Sequence, residues 1–363
     1  MKILHIINSL DSAGAERLCV DLAVTMRRMG HEADILTLRD GDTALRREAE
    51  TGGVSVKSCR VGREYDPRCI LRLRPLIAGY DVLHVHLFPA QYWTAAAHRL
   101  VGSRALLVTT EHNNFNARAR YWLTTQTDRL VYRRYAAAAC ISEPTLQFMQ
   151  ERTRGRLPLR LIRNGINTAR FASLPAVARS EVLPSVPAEA FLLLQVARFR
   201  EQKDQDAVIR ALAELPADVH AAFAGDGERE AACREQAAKL GVAGRCHFLG
   251  VRTDVPALLT LCDAAVMSSH WEGFGLAAAE AMAAGKVVLA SNVPGLREVV
   301  GSEDLLFSAS NERELAKKVL LLRGNSAKRR QLEAYCQERA AQFGIERTAE
   351  NYIKFYQETI KGH

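Results

Sequence analysis

The 363-residue sequence has no apolar run approaching the roughly 18 residues that would carry a helix across a membrane. Its opening, Met1 to Ile7, is a short apolar strand behind one lysine and is not expected to be a secretory signal. Eight cysteines (Cys19, Cys59, Cys69, Cys140, Cys233, Cys246, Cys262 and Cys336) are scattered, with no C-x-x-C pair. That spacing offers no zinc site and fits reduced core thiols in a cytoplasmic protein. The first strand–loop–helix, at Ser9 to Glu16, lacks the G-x-G-x-x-G dinucleotide fingerprint. Lysine is missing from Arg99 to Arg170, where thirteen arginines face four acids, Glu111, Asp128, Glu143 and Glu151. This basic stretch contributes to the net charge of +8 and suits a phosphorylated ligand, an anionic lipid surface or a solvated face.

What is present reads as a folded α/β protein, 48% hydrophobic and 25% charged, and long enough for two domains. Strand-like runs fall at residues 2–8, 33–38, 54–61, 81–87, 105–110, 136–141 and 159–162. A second series follows at 191–197, 219–224, 245–249, 264–267 and 287–290. Helical stretches between them, such as 15–29, predict parallel sheets covered on both faces. In such sheets ligands gather at the carboxyl ends of strands, where Asn8, His84, His86, Glu111, His112, Ser142 and Asn164 fall. His84 and His86 are expected on opposite faces of their strand and therefore not to share a metal. We expect a domain at 1–172, a Pro/Ala-rich linker at 173–190 and a second domain at 191–345.

The most informative stretch is Ser269-His270-Trp271-Glu272-Gly273-Phe274-Gly275-Leu276-Ala277-Ala278-Ala279-Glu280. It follows a buried strand and enters an Ala-rich helix stopped by Gly285. Gly273 and Gly275 permit a sharp turn and close backbone approach. The free N–H groups of Gly275 and Leu276 at the helix start form an anion site. Glu272 on the loop and Glu280 inside the helix can meet the two ends of an anionic ligand bearing hydroxyls, the shape of a nucleotide diphosphate sugar. Capping by Glu272 and solvation of Glu280 is the plainer alternative.

Glu272 and Glu280, with seven residues between them, resemble the double-glutamate motif of the retaining family-four glycosyltransferases (glycosyl transferases group 1). Val293 to Val300 resembles that family's next loop and helix. The resemblance implies two Rossmann-like domains with parallel sheets facing across a cleft, the GT-B type, and a last helix, 346–363, packing back on the first domain. It implies a retaining transfer of sugar from a nucleotide diphosphate sugar, by default a uridine diphosphate sugar, with no metal and no cofactor. Arg198 and Lys203 match the phosphate-contacting pair. Glu272 would orient the sugar and Glu280 the ribose, with Gly273, Phe274, Gly275 and Leu276 around the diphosphate. Gly225 to Glu228, with Gly227, and Phe248 to Gly250 would lie near the base. In the first domain His86 and Gly14 would complete the donor site, and Asn164 at a strand end is a further donor-binding candidate. One glycine of the usual Gly-Gly is replaced by Ala13.

The aromatic and basic run from Ala117 to Tyr135 has Arg118, Trp122, Arg129 and Arg133 as candidates for an acceptor or a membrane interface. An internal helix with a solvated basic edge is its alternative. The expected partners are the donor, a glycan or lipid-linked acceptor and an anionic membrane surface at the inner face of the cytoplasmic membrane, with no nucleic acid. A soluble acceptor, a sugar-nucleotide epimerase and a silent sugar-nucleotide sensor are the competing readings. Asp40-Gly41-Asp42 and Asp204-Gln205-Asp206 resemble metal-holding Asp-x-Asp pairs and are read as structural.

Overall fold

A computed structural model describes residues 1–11, 14–112, 122–172 and 178–362. The chain forms two compact units: Met1–Ile166 with Ile345–His363, and Asn167–Gly344.

The first unit is built on seven strands: β1 (Lys2–Ile7), β2 (Glu32–Arg39), β3 (Val56–Val61), β4 (Val82–His86), β5 (Leu106–Glu111), β6 (Ala137–Cys140) and β7 (Leu159–Leu161). Their spatial order is β3-β2-β1-β4-β5-β6-β7, and every pairing is parallel. Parallel strands covered on both faces require apolar side chains on both, which explains the mostly apolar runs in β1 and β4, interrupted by the buried His5, His84 and His86. Ile3 and Ile7 of β1 enter one core cluster, with Leu18, Tyr352 and Tyr356. Leu4 and Ile6 enter the other, with Leu36, Leu73 and Leu83. This is the period of two that a pleated strand imposes.

Helix Ile345–Gly362 belongs to the first cluster. Its buried hydroxyls are satisfied inside the unit: Tyr352 with Thr110 Oγ1 at 2.9 Å, and Tyr356 with His84 Nδ1 at 2.7 Å. Buried polar groups that find partners fix one docking register for the helix.

The second unit repeats the plan with β8 (Phe191–Val196), β9 (Val219–Ala224), β10 (Cys246–Phe248), β11 (Ala264–Met267), β12 (Val287–Ser291) and β13 (Leu306–Phe307). The order is β10-β9-β8-β11-β12-β13, again parallel. The two-residue β13 is too short to leave a periodic signal, and sequence patterning misses it.

The stretch expected to be a linker divides differently. Residues 173–177 lie outside the described residues. From Ala178 onward the chain packs on the second unit: Arg179 donates to Ala190 O at 2.6 Å and Leu261 O at 2.8 Å, and Ser185 meets His247 at 3.0 Å. Arg179–Val182 form a single helical turn, and Arg179 with its carbonyl partners ties the segment down.

Candidate functional site

In both sheets the strand order reverses beside the first strand, between β1 and β4 and between β8 and β11. A crevice opens at such a switch point, outside the carboxyl ends of the strands. The stretches singled out by sequence leave the sheet there.

After β8, Arg198 is exposed while Phe199 turns into the core. A short 3-10 turn, Glu201–Lys203, ends at Asp204, whose φ of 44° is held by its own capping role: its carboxylate accepts from Ala207 N at 3.2 Å and from Ser310 Oγ at 2.8 Å. After β11, buried Ser268 lies 2.9 Å from the Lys203 carbonyl and 2.8 Å from that of Asp204. Gln195 Nε2 donates to the same Lys203 carbonyl at 3.0 Å. His270 N donates to Gln202 O, and Gln202 Nε2 to Trp271 O, both at 2.8 Å. The two loops are therefore sewn together by bonds that run from the buried Ser268 to the exposed Gln202–Trp271 contact, which fixes the side chains they carry.

Those side chains are Lys203 and Glu272. The ammonium donates to Glu272 Oε1, which also accepts from Ser269 Oγ at 2.9 Å. Beyond Glu272, buried Phe274 meets Phe343 edge-on at 5.5 Å, and Gly275, at φ 93°, opens helix Leu276–Ala283. The helix ladder begins with the amides of Ala278 and Ala279, both on Gly275 O. The amides ahead of them form the positive end of the helix, with no side-chain cap. Glu280 sits half-buried in the next turn.

Gly295 supports this loop from behind. A Cβ there would lie 2.7 Å from Glu272 O, so only glycine fits, and its N–H is taken by Glu298 Oε2 at 2.5 Å. Gly227 has φ 148°, and a Cβ on it would lie 2.3 Å from Phe199 O. The loops after β9 and β10 meet where Gly225 N donates to Gly250 O at 2.7 Å. Beneath them Phe199, Phe223 and Phe248 cluster, with ring centroids 5.3–6.1 Å apart. The second unit thus gathers Arg198, Lys203, Glu272, Gly273, Phe274, Gly275, Leu276, Glu280 and Gly227 around the carboxyl ends of β8, β9 and β11.

In the first unit His84 and His86 do not face opposite ways. Their ring centroids are 4.1 Å apart, because residues two apart on a strand share a face. His86 ends β4 fully buried, and both its nitrogens are taken, by His5 Nδ1 at 3.2 Å and His112 Nε2 at 3.1 Å. His112, half-buried, is the outer member of this chain. Burial lowers the pKa of His5 to about 4 and holds His84 and His86 well below the ordinary histidine value. The donor atoms of His5, Cys19 and His86 lie within 4.8 Å of one another, a grouping that linear spacing could not reveal because three elements supply it. Asn164 is buried after β7, and its Oδ1 has no hydrogen-bond partner among the described residues. Gly14 opens helix Gly14–Arg28 and is exposed; Ala13 lies outside the described residues.

The two Asp-x-Asp pairs have local partners. Asp40 and Asp42 pair with Arg46 and Arg47, and Asp206 with Arg229 at 3.0 Å, while Asp204 caps its helix. Arg118 lies outside the described residues, as does the side chain of Trp122. Arg129 and Arg133 sit where helix Trp122–Tyr132 runs toward the amino end of β6, the sheet edge opposite His86 and Asn164. They do not belong to the same site as those residues.

The chain is similar to the N,N'-diacetylbacillosaminyl-diphospho-undecaprenol alpha-1,3-N-acetylgalactosaminyltransferase of Campylobacter jejuni, 32% identical over 121 residues (33% of this chain, 32% of the relative). It is 31% identical over 224 residues to the D-inositol 3-phosphate glycosyltransferase of Salinispora tropica (56% of this chain, 46% of the relative). These matches span about a third to a half of the relatives' lengths. The crystal structure of Anabaena HepE in complex with UDP and glucose superposes with a TM-score of 0.86 at 24% identity, covering 99% of this chain and 100% of HepE. This likeness identifies the fold as the GT-B type, with two Rossmann-like domains. The model of Glycosyltransferase Family 4 matches residues 12–170 and that of Glycosyl transferases group 1 matches residues 181–339, and the chain belongs to this glycosyltransferase family.

Proposed function

We propose that the protein transfers a sugar from a uridine diphosphate sugar to an acceptor hydroxyl with retention of anomeric configuration. The observation that carries this reading is the pairing of Lys203 with Glu272, between the loop that Arg198 opens and the uncapped start of helix Leu276–Ala283. In the transfer the bond from the anomeric carbon to the diphosphate oxygen breaks. A new bond forms to the acceptor oxygen, whose proton passes to the departing phosphate. Negative charge develops on that diphosphate, and fixed positive groups aimed at it lower the barrier. Arg198 supplies a fork of donors, Lys203 a point charge and the helix start its amides. We propose that these groups, rather than a metal ion or cofactor, carry the charge.

Glu272 orients the sugar through its hydroxyls and Glu280 holds the ribose, with Gly273, Phe274, Gly275 and Leu276 around the diphosphate and Gly227 toward the base. In the first unit the proposed contributors are Gly14, Asn164 and His86, the last acting through His112, which it positions. The uridine nucleotide is supported by the UDP named in the HepE complex. A lipid-linked glycan acceptor is supported by the diphospho-undecaprenol substrate in the Campylobacter relative's name. With such an acceptor the proposed location is the inner face of the cytoplasmic membrane; among the described residues no helix is long and apolar enough to cross one. A soluble phosphorylated acceptor is the second reading, favoured by the similarity to the D-inositol 3-phosphate glycosyltransferase.

Calorimetric titration with UDP and UDP-glucose tests the donor assignment. Wild type should bind both, and Arg198→Ala/Lys203→Ala should weaken UDP at least tenfold. Unchanged UDP affinity in that variant would remove the diphosphate from this place.

A further inference from the structure

The first unit carries a second concave site that the transfer does not use. It is a cavity of about 470 Å³ at the amino ends of β6 and β7. Ligand pockets typically enclose about 300–1,000 Å³, so this one exceeds a bare phosphate and suits a phosphate carried on a larger body. Its walls are Arg129 from helix Trp122–Tyr132, Arg133 from the turn that follows it, and Arg154 and Arg156 from the turn after helix Glu143–Thr153. Its floor includes Tyr132 and Tyr135, each only 4% exposed.

Charge and partnering distinguish this cavity from an ordinary basic surface. Among the described residues no carboxylate lines it. The nearest buried acid in sequence, Asp128, is committed to Arg152, whose Nε donates to it at 2.6 Å. Arg133, Arg154 and Arg156 have no carboxylate within ion-pair distance among the described residues. The neighbouring guanidinium groups also repel one another: desolvation, then Arg154, Arg152 and Arg156, push the Arg129 pKa down. Like charges brought together around a concavity cost free energy until an anion fills it.

The floor holds the walls in place. Tyr135 donates to Gln91 O at 2.7 Å, and the Tyr132 hydroxyl donates to Glu111 at 3.3 Å. Arg129 Nε donates to Arg152 O at 3.3 Å, joining the two helices whose ends carry the four arginines. Arg154 stands in the left-handed region, φ 52°, as the cap of its helix. At the rim Leu130 is 62% exposed. An apolar side chain beside a cationic well matches a phosphate attached to something less polar.

We propose that this cavity is a binding site for a phosphate group, either a phospholipid headgroup or a soluble phosphate ester, held by the guanidinium groups of Arg133, Arg154 and Arg156 with Arg129. It lies on the sheet edge opposite His86 and Asn164, so its ligand anchors or regulates the protein and is not the group undergoing transfer. The assignment does not depend on the transferase reading.

Two probes separate the sources. One is vesicles of phosphatidylcholine with one third phosphatidylglycerol, followed by co-sedimentation; the other is glucose 6-phosphate, followed by calorimetry. Each is applied to wild type, to Arg133→Gln/Arg156→Gln, and to Arg347→Gln/Lys361→Gln. The last variant removes two exposed charges from helix Ile345–Gly362. The site predicts that wild type binds at least one probe and that the arginine double variant loses tenfold or more for it, while the control keeps wild-type affinity. Loss only with vesicles identifies a lipid headgroup, and loss only with the sugar phosphate a soluble ester. Failure of wild type to bind either, or an equal loss in the control, overturns the proposal. All four changes are at exposed side chains, and circular dichroism confirms that each variant is folded.

Discussion

The Lys203 ammonium donates to the same Glu272 carboxylate oxygen that accepts the Ser269 hydroxyl. The two residues are 69 positions apart and come from loops after different strands. The pair is partly exposed, 24% and 14% at the side chains, so its contribution to stability is expected to be small, about 0–1 kcal/mol. Its contribution to transfer is expected to be large. Lys203→Ala and Glu272→Ala should each lower kcat by roughly 100-fold or more. In a double-mutant cycle on kcat the two effects should fall short of additive by about 0.5–3 kcal/mol. Additive effects would mean that the ion pair is incidental to the reaction.

Gly227 packs with no space for a side chain, its φ of 148° set against the Phe199 carbonyl. Gly227→Ala should destabilise the second unit by more than roughly 1–3 kcal/mol, since both a disfavoured backbone region and a clash with main chain are imposed. Gly30→Ala, at φ 84° with open space around it, should cost only the backbone term. Thermal melts of the two variants should differ in that order; equal melting temperatures would refute the packing argument.

The arrangement of elements was legible from periodicity and the motif loop from its residues, because strands buried on both faces read as apolar runs and glycines mark forced turns. One feature was legible and misread, and two were not legible. The common face of His84 and His86 follows from a strand period of two, and expecting opposite faces misapplied that period. The grouping of His5 with His86 and Cys19 depends on which strands neighbour each other, and Lys2–Ile7 lies beside Val82–His86 only through the order of the sheet. The arginine cavity joins residues 129–133 to 154–156 through the packing of two helices, where sequence singled out Arg129 and Arg133 but not Arg154 and Arg156.

The buried histidines predict an acid-sensitive first unit. Burial holds His5 at about 4 in the fold, against about 6.5 when unfolded. Between those values the unfolded chain binds the proton and the folded chain does not, so stability is full above about pH 6.5 and falls as pH drops toward 4. At about 1.4 kcal/mol for each pKa unit, His5 alone contributes a loss of roughly 3 kcal/mol, and His84 and His86 act in the same direction. Urea midpoints from pH 7 to pH 4.5 should decline steeply in wild type and less in His5→Gln. Parallel slopes would contradict this assignment.

Arg152 and Asp128 form a pair with side chains 5% and 2% exposed, and the Tyr92 hydroxyl and Thr125 complete it. Arg152→Met should cost about 3–5 kcal/mol, because it leaves a carboxylate buried without its counter-charge. Arg152→Met/Asp128→Leu should recover much of that loss. Chemical denaturation monitored in both variants checks this; a double variant no more stable than the single one would rule out the unpaired charge as the cause.

The central claim is that fixed charges of the second unit drive sugar transfer from a nucleotide diphosphate sugar. Its most direct measurement is nucleotide diphosphate release from a panel of sugar nucleotides, with and without polyprenyl-diphosphate sugars, in the presence of a chelator. The account predicts acceptor-dependent release from a uridine diphosphate sugar, unchanged by chelator, abolished by Glu272→Ala, and giving a product with the donor's anomeric configuration. Conversion of the donor without acceptor, loss of activity with chelator, or an inverted product would contradict it.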